Sequence, residues 1–222
     1  MQALYVHGLG RSPLSGAGLM WRLRNQGVRT SSIFYSATFQ SAQSIEARLR
    51  RKITDVASQS DYILIGHSLG GVLIRAALAS LPNETRRPSR VFLLGSPVRP
   101  SRIAKYLSRN WLFRLATRDC GDLLSSESRM GQIAPCSVPT TSVVGTRGLY
   151  GRFSPFGSEE NDGVVSASEV AAPWIAEEIK VRVIHTYLPS NRKIAQLIIE
   201  RLPNETSCEP ETAVYPAVPN LP

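Results

Sequence analysis

Cysteine is scarce in this chain: Cys120, Cys136 and Cys208 are the only three in 222 residues. An odd, sparse set is no disulfide framework, and none of its spacings matches a zinc site. One bridge could form, with Cys120 and Cys136 as its candidates. Long apolar runs are missing too, since no stretch reaches the roughly 18 residues that a membrane-spanning helix needs. The opening MQALYVHGLG has no basic region followed by an apolar segment, so no signal peptide is visible and the cytoplasm is the default expectation. A precursor stripped of its leader would read the same way. Histidine is as rare as cysteine, with His7, His67 and His185 alone, so any chemistry that needs an imidazole has few choices. Acidic residues are outnumbered: 26 lysines and arginines against 17 aspartates and glutamates give a formal net charge of +9. That balance suits anionic partners such as a membrane surface or acidic substrates. The arginines are scattered and no nucleic-acid-binding motif accompanies them, so nucleic acid is not an expected partner. The sequence is silent on oligomeric state.

What the sequence does have is alternation. Ala3–Val6, Val28–Tyr35, Asp61–Gly66, Arg90–Leu94, Thr140–Val144 and Val181–His185 read as six short strands, most of them nearly continuous apolar runs. Between and after them come helical patterns: Leu14–Gln26, Ser44–Ala57, Gly70–Ser80 and Asn191–Leu202. In Ser44–Ala57 the apolar residues Ile45, Leu49, Ile53 and Val56 fall on one helix face. Apolar strands separated by helices imply an α/β protein with a parallel sheet of about six strands, covered on both faces and doubly wound. One domain over 1–202 is expected, followed by a proline-rich tail, 203–222, with five of the 15 prolines. Two stretches break the alternation. Ser101–Thr117 is aromatic, aliphatic and basic, and opens a possible lid or cap insertion over 101–130. Gly148–Asp162 is long and glycine-rich. Long loops in such proteins usually overhang a site.

One short stretch carries the chemistry. Gly66-His67-Ser68-Leu69-Gly70 fits G-x-S-x-G, with an apolar strand before it and a helix after it. The turn holds its serine in a strained conformation with the hydroxyl raised above the sheet, and the glycines stand where side chains would collide. The following helix N-terminus favours negative charge beside the serine.

Gly66-His67-Ser68-Leu69-Gly70-Gly71 resembles the nucleophile elbow of α/β-hydrolases, more narrowly of small bacterial lipases and esterases, and the likeness of motif order and strand count runs over roughly residues 3 to 202. The resemblance implies a Ser-His-Asp triad without metal or organic cofactor. His7-Gly8-Leu9-Gly10 matches the family's oxyanion loop, so the Leu9 and Leu69 backbone N–H groups are the implied oxyanion donors, with His7 bracing the loop. His67 belongs to the elbow and is expected to point away from the hydroxyl, leaving His185, at the end of the last strand, as the base. The third member must be acidic and lie between the fifth strand and His185. Asn161-Asp162-Gly163-Val164-Val165 resembles the stretch in which lipases place it, so Asp162 is chosen, while Glu177 and Glu178 read as solvated helix. The order Ser68, Asp162, His185 is the one this fold uses. Some lipases hold calcium near the acid, and Glu159, Glu160 and Asp162 make it conceivable, but no metal is expected.

For the substrate, Ile103, Tyr106, Leu107, Trp111, Leu112 and Leu115 would face the site from one amphipathic helix while Arg102, Lys105, Arg109 and Arg114 stay wet, as in a lid or a membrane-surface contact. Tyr106 and Trp111 from that helix, with Phe153 and Phe156 from the acid loop, are the expected substrate-binding residues. The reading is thus a hydrolase of acyl or lipid esters. A thioesterase, amidase or acyltransferase would use the same triad, and a non-catalytic basic module bound to membrane surfaces is the alternative of another class.

Overall fold

A computed structural model describes residues 1–152 and 154–203. Phe153 and the stretch from 204 onward, which holds Cys208 and nearly all of the expected tail, lie outside the described residues. Six parallel strands form one sheet in the order β2-β1-β3-β4-β5-β6. They are β1 (Gln2–Val6), β2 (Arg29–Ile33), β3 (Tyr62–His67), β4 (Arg90–Leu94), β5 (Thr140–Gly145) and β6 (Glu177–Val181). The long helices are α1 (Ala17–Arg24), α2 (Ala42–Gln59), α3 (Leu69–Ala79), α5 (Trp111–Ser125) and α8 (Arg192–Ile199). Three short ones, α4 (Arg102–Leu107), α6 (Glu127–Gly131) and α7 (Ala167–Val170), lie between β4 and β6.

Each face of the sheet has its own core. Ile45, Leu49, Ile53 and Val56 of α2 and Val72, Leu73 and Leu78 of α3 pack against Leu4, Leu64 and Leu93. On the opposite face, Leu19 and Leu23 of α1 and Ile194 and Ile198 of α8 cover Ala3, Ile63 and Phe92. The central strands are buried on both sides, which is why β3 reads as an apolar run rather than an alternation. Because β1 leads to α1 on one face and β3 to α3 on the other, the loops leaving these neighbouring strands diverge. The strand order reverses there, and such a switch point opens a crevice at the carboxyl ends of the strands.

The sixth strand differs from expectation. It occupies Glu177–Val181, four residues before the apolar Val181–His185, and takes in the Glu177 and Glu178 read as solvated helix. β6 is an edge strand whose residues alternate between exposed and half-buried, so its signal is period-two polarity rather than an apolar run. Glu177 is held by Arg201, through contacts of 2.6 and 2.7 Å, and thereby ties β6 to the end of α8. Cys120 and Cys136 are free thiols, not a bridge. Cys120 is buried and its thiol is pushed up to about 11 by desolvation, so it behaves as a small core residue.

The segment between β4 and β5 is broken where one amphipathic helix was expected. α4 stops at Leu107, and Asn110 then caps α5, its side chain accepting from the Leu112 and Phe113 N–H groups. The break resets the helical phase, so Ile103, Leu107 and Phe113 turn toward the sheet while Tyr106, Trp111, Leu112 and Leu115 are exposed. Arg102, expected in solvent, anchors the start of α4. Its guanidinium pairs with Glu159, bonds Ser166 Oγ at 2.5 Å and lies 5.3 Å from the Phe156 ring centre. Its backbone N–H donates to Glu169 Oε1 at 2.6 Å. Burial opposes the charge on Glu159, but hydrogen bonds from Ser168 and Arg102 outweigh it and hold the carboxyl at about 2.

Replacing Arg102 with methionine should destabilise the fold by about 1–3 kcal/mol, the usual cost of leaving hydrogen-bonded charged partners unpaired. Urea unfolding of the two proteins measures it, and a difference within error would mean that the network adds nothing to stability.

Candidate active site

Ser68 ends β3 and caps α3 with φ 52° and ψ −124°, a left-handed conformation that costs a non-glycine residue about 1–3 kcal/mol. Close backbone contacts impose it. A Cβ on Gly70 would lie 2.2 Å from the Val6 carbonyl oxygen, and one on Gly66 would lie 2.4 Å from Gly71 Cα. The loop after β1 comes equally near: a Cβ on Gly8 would stand 3.0 Å from Ser68 Cβ. Glycine at all three positions lets two strands and a helix converge on one hydroxyl.

The Leu9 N–H makes no hydrogen bond to the described residues, and the Leu69 N–H, first in α3, has no partner within the helix. Both residues adjoin Ser68, one across the Gly8 contact and one along the chain. His7 braces their loop. Its Nδ1–H donates to the Gly8 carbonyl at 2.9 Å, its Nε2 accepts from the Tyr35 N–H at 3.4 Å, and its ring stacks on Tyr35 at 4.1 Å.

Asp162 and His185 are joined. The His185 Nδ1–H donates to Asp162 Oδ2 at 2.7 Å, and the His185 backbone N–H donates to the Asp162 carbonyl at 2.9 Å. The other carboxylate oxygen accepts from the Val164 and Val165 N–H groups at 2.9 and 2.8 Å, so both oxygens of a fully buried carboxylate are hydrogen-bonded. Asn161 shapes the turn by bonding Leu149, Glu159 and Gly163. His185 itself sits at the start of a 3₁₀ turn, His185–Ser190, four residues beyond β6 rather than at its end. With Nδ1 spent on Asp162, Nε2 is the ring nitrogen left for the cavity that His185 shares with Ser68. Ser68 Oγ and the imidazole line this one cavity without a hydrogen bond between them; such contacts often tighten only when substrate is bound.

The cavity holds about 250 Å³. Its apolar wall comes from Ile103, Leu107, Phe113 and Leu124 of the α4–α5 segment and from Val164 and Val165 beside Asp162. Tyr106 and Trp111 are not part of this wall: both are about two-thirds exposed on the outer side of their helices. Phe156 is also absent from it, being buried beneath the Arg102 guanidinium. Glu159 is held by Arg102 and the Ser168 N–H and Glu160 by Lys180, and no group of three metal-ligating side chains occurs among the described residues.

Two contributors escaped the sequence reading. His67 has a positioning contact of its own. It lines the cavity, its ring centre lies 4.8 Å from that of His185, and its Nε2–H donates to the His185 carbonyl at 3.1 Å. Burial, reinforced by the neighbouring His185, drives its pKa well below the usual histidine value and keeps it neutral. Gly95, with φ 54°, is the second. A Cβ there would lie 2.9 Å from both Asp162 Oδ2 and His185 Nδ1. The only sequence signal for it is a glycine directly after the apolar β4.

Gly95→Ala should cost about 2–4 kcal/mol, from positive-φ strain plus overpacking, and should part the Asp162–His185 contact. Urea unfolding gives the first effect, and loss of the far-downfield Nδ1–H proton resonance of His185 reports the second; a retained resonance would refute the steric role. His7 and His67 both have folded pKa values depressed below the ordinary 6.5, chiefly by burial. The unfolded chain therefore binds more protons below that pH, and stability is full above about 6.5 and declines as pH falls, by up to about 1.4 kcal/mol per pH unit for each histidine. Unfolding curves from pH 7.5 to 5 test this, and His67→Asn should flatten the slope.

No family model matches the sequence, and no curated protein matches it. Solved structures do match it in shape. The mature form of the Bacillus licheniformis lipase BlEst2 superposes with a TM-score of 0.70 at 18% identity, over 90% of each chain. The RedJ thioesterase of the prodiginine pathway in Streptomyces coelicolor gives 0.62 at 15% identity, over 90% of this chain and 83% of that one. An extracellular α/β-hydrolase from a Paenibacillus species gives 0.61 at 14% identity, over 90% and 98%. Through its sheet order, its serine turn and these superpositions, the chain has the α/β-hydrolase fold.

Proposed function

We propose that this protein is a serine hydrolase that cleaves carboxylic esters of apolar acyl chains through Ser68, His185 and Asp162. The observation that carries the reading is the buried Asp162–His185 hydrogen bond opening onto the same cavity as the strained Ser68. His185 Nε2 takes the Ser68 proton as Oγ attacks the acyl carbonyl carbon, and Asp162 fixes the tautomer and offsets the charge of the imidazolium. The tetrahedral oxyanion is received by the Leu9 and Leu69 N–H groups, each such donor contributing about 2.7–4 kcal/mol to transition-state stabilisation. The acyl–oxygen bond breaks, the departing alkoxide takes the proton from His185, and water repeats the cycle on the acyl-enzyme. His67 acts by position, holding the His185 backbone without adding charge.

The acyl chain lies against Leu107, Phe113, Leu124 and Val165, a wall that favours medium apolar chains over acetate. Tyr106, Trp111, Leu112 and Leu115, exposed near Arg109 and Arg114, favour a peripheral contact with a lipid surface. No helix among the described residues is long and apolar enough to cross a membrane. The fold likeness to a thioesterase keeps acyl thioesters as a second reading, since the same attack would expel a thiolate.

A fluorophosphonate probe should label Ser68 and no other residue, and Ser68→Ala should abolish labelling. Hydrolysis of a p-nitrophenyl ester series should fall at least about a thousandfold in Ser68→Ala or His185→Ala. Turnover unchanged in Ser68→Ala would remove the triad from this protein, and acyl-CoA cleaved faster than every ester would shift the substrate class to thioesters.

A further inference from the structure

The Ser68 cavity is apolar at depth and charged at one point of its rim. Ala104, Leu124 and Val165 are buried in its wall, whereas Arg11 is exposed, and Arg11 is the one lysine, arginine or carboxylate residue among those lining it. The backbone sets it there. Gly10 takes φ 63°, and the Arg11 N–H donates back to the Gly8 carbonyl at 3.2 Å, so the chain turns sharply after Leu9 and brings Arg11 over the opening. The side chain then crosses to the opposite loop, where Nη2 donates to Thr186 Oγ1 at 2.8 Å, one residue beyond His185.

The partner it finds there is neutral. Arg102, Arg129 and Arg201 rest on carboxylates, but Arg11 forms no ion pair among the described residues. One bond to a hydroxyl leaves most of the five guanidinium N–H donors unused, in a fork whose aim is fixed by Thr186. Unpaired arginines are common on a surface of net charge +9, but this one is tethered beside the nucleophile and the base.

We infer that Arg11 forms a subsite for a phosphate carried on the leaving group, so that the preferred substrates are acyl esters or thioesters with an apolar acyl chain and a phosphorylated alcohol or thiol. This deepens the hydrolase reading above and rests on it for the direction of the substrate. The acyl chain fills the apolar wall, the acyl carbonyl lies at Ser68, and the leaving group exits between the Leu9 and His185 loops, beneath the guanidinium. Only the acyl bond is broken; the phosphate ester bonds stay intact. Phosphate fits better than a carboxylate, which also offers two oxygens to the fork, because its greater charge is drawn more strongly by the protein's net field.

Binding tests the subsite without turnover. In a Ser68→Ala background, calorimetry should show octyl phosphate binding about tenfold more tightly than octanol. Arg11→Gln should remove that advantage, Arg11→Lys should keep part of it, and added salt should shrink it. No preference with Arg11 in place, or the same preference in Arg11→Gln, overturns the inference. Turnover then separates the sources of phosphate. A fall of about tenfold in the kcat/KM ratio of lysophosphatidate to the matching monoacylglycerol on Arg11→Gln assigns the subsite to a lipid headgroup. The same fall in the ratio of acyl-CoA to acyl-N-acetylcysteamine assigns it to coenzyme A; both ratios unchanged overturns it. A phosphate preference in binding together with no turnover and no fluorophosphonate labelling would sink the hydrolase reading while supporting the anion subsite.

Discussion

Main chains crowd together around Ser68, and the site depends on that crowding. The Val6 carbonyl, the start of α3 and the loop through Gly8 meet with no room for a side chain between them. That crowding forces Ser68 into a left-handed conformation whose cost is carried by two cores packed against a sheet with buried central strands. A looser junction would let the serine relax, and its hydroxyl would no longer stand in the crevice where the strand order reverses. The same contact sets the loop that carries Leu9 against Ser68, next to Leu69 at the start of α3, and these are the two amides proposed as oxyanion donors.

Around this point the three histidines divide their work according to burial and partners. His7 locks the β1 loop as a neutral ring with both nitrogens engaged. His67 lies under His185, kept neutral by burial, so it supports the neighbouring ring without placing a second positive charge beside it. His185 alone pairs with a carboxylate. Asp162 in turn is held at both oxygens, because two backbone N–H groups fix the one that His185 does not use. Gly95 leaves the space in which this pair can meet.

The segment between β4 and β5 joins the site by two different attachments. Arg102 ties the start of α4 to the loop that carries Asp162, through Glu159, Ser166 and Glu169. The Asn110 cap then redirects the chain so that Phe113 faces inward while Trp111 and Leu112 face solvent. The cavity wall and the exposed aromatic surface are therefore built from adjacent residues, and a shift of one would move the other.

Much was legible in the sequence because it depended on local rules. An apolar strand, a glycine-flanked serine and a helical repeat are neighbours in the chain, and the steric exclusion at Gly66 comes from Gly71, five residues on, although that at Gly70 comes from Val6 on the adjacent strand. Having only three histidines narrowed the proposed base, and the resemblance of Asn161–Val165 to a lipase stretch singled out the proposed acid. The edge strand β6 was misplaced because a strand wetted on one side carries no apolar run. The outward turn of Tyr106 and Trp111, the burial of Phe156 and the roles of His67 and Gly95 were beyond reach for another reason. Phe156, His67 and Gly95 answer to residues dozens of positions away, and for Tyr106 and Trp111 one cap at Asn110 was enough to rotate a whole face. Sequence by itself determined which groups could do chemistry and where the chain turns from strand to helix, since those follow from covalent structure and local pattern. Tertiary structure decided which groups meet and which stay neutral, because distance and desolvation exist only once the sheet has brought remote loops together.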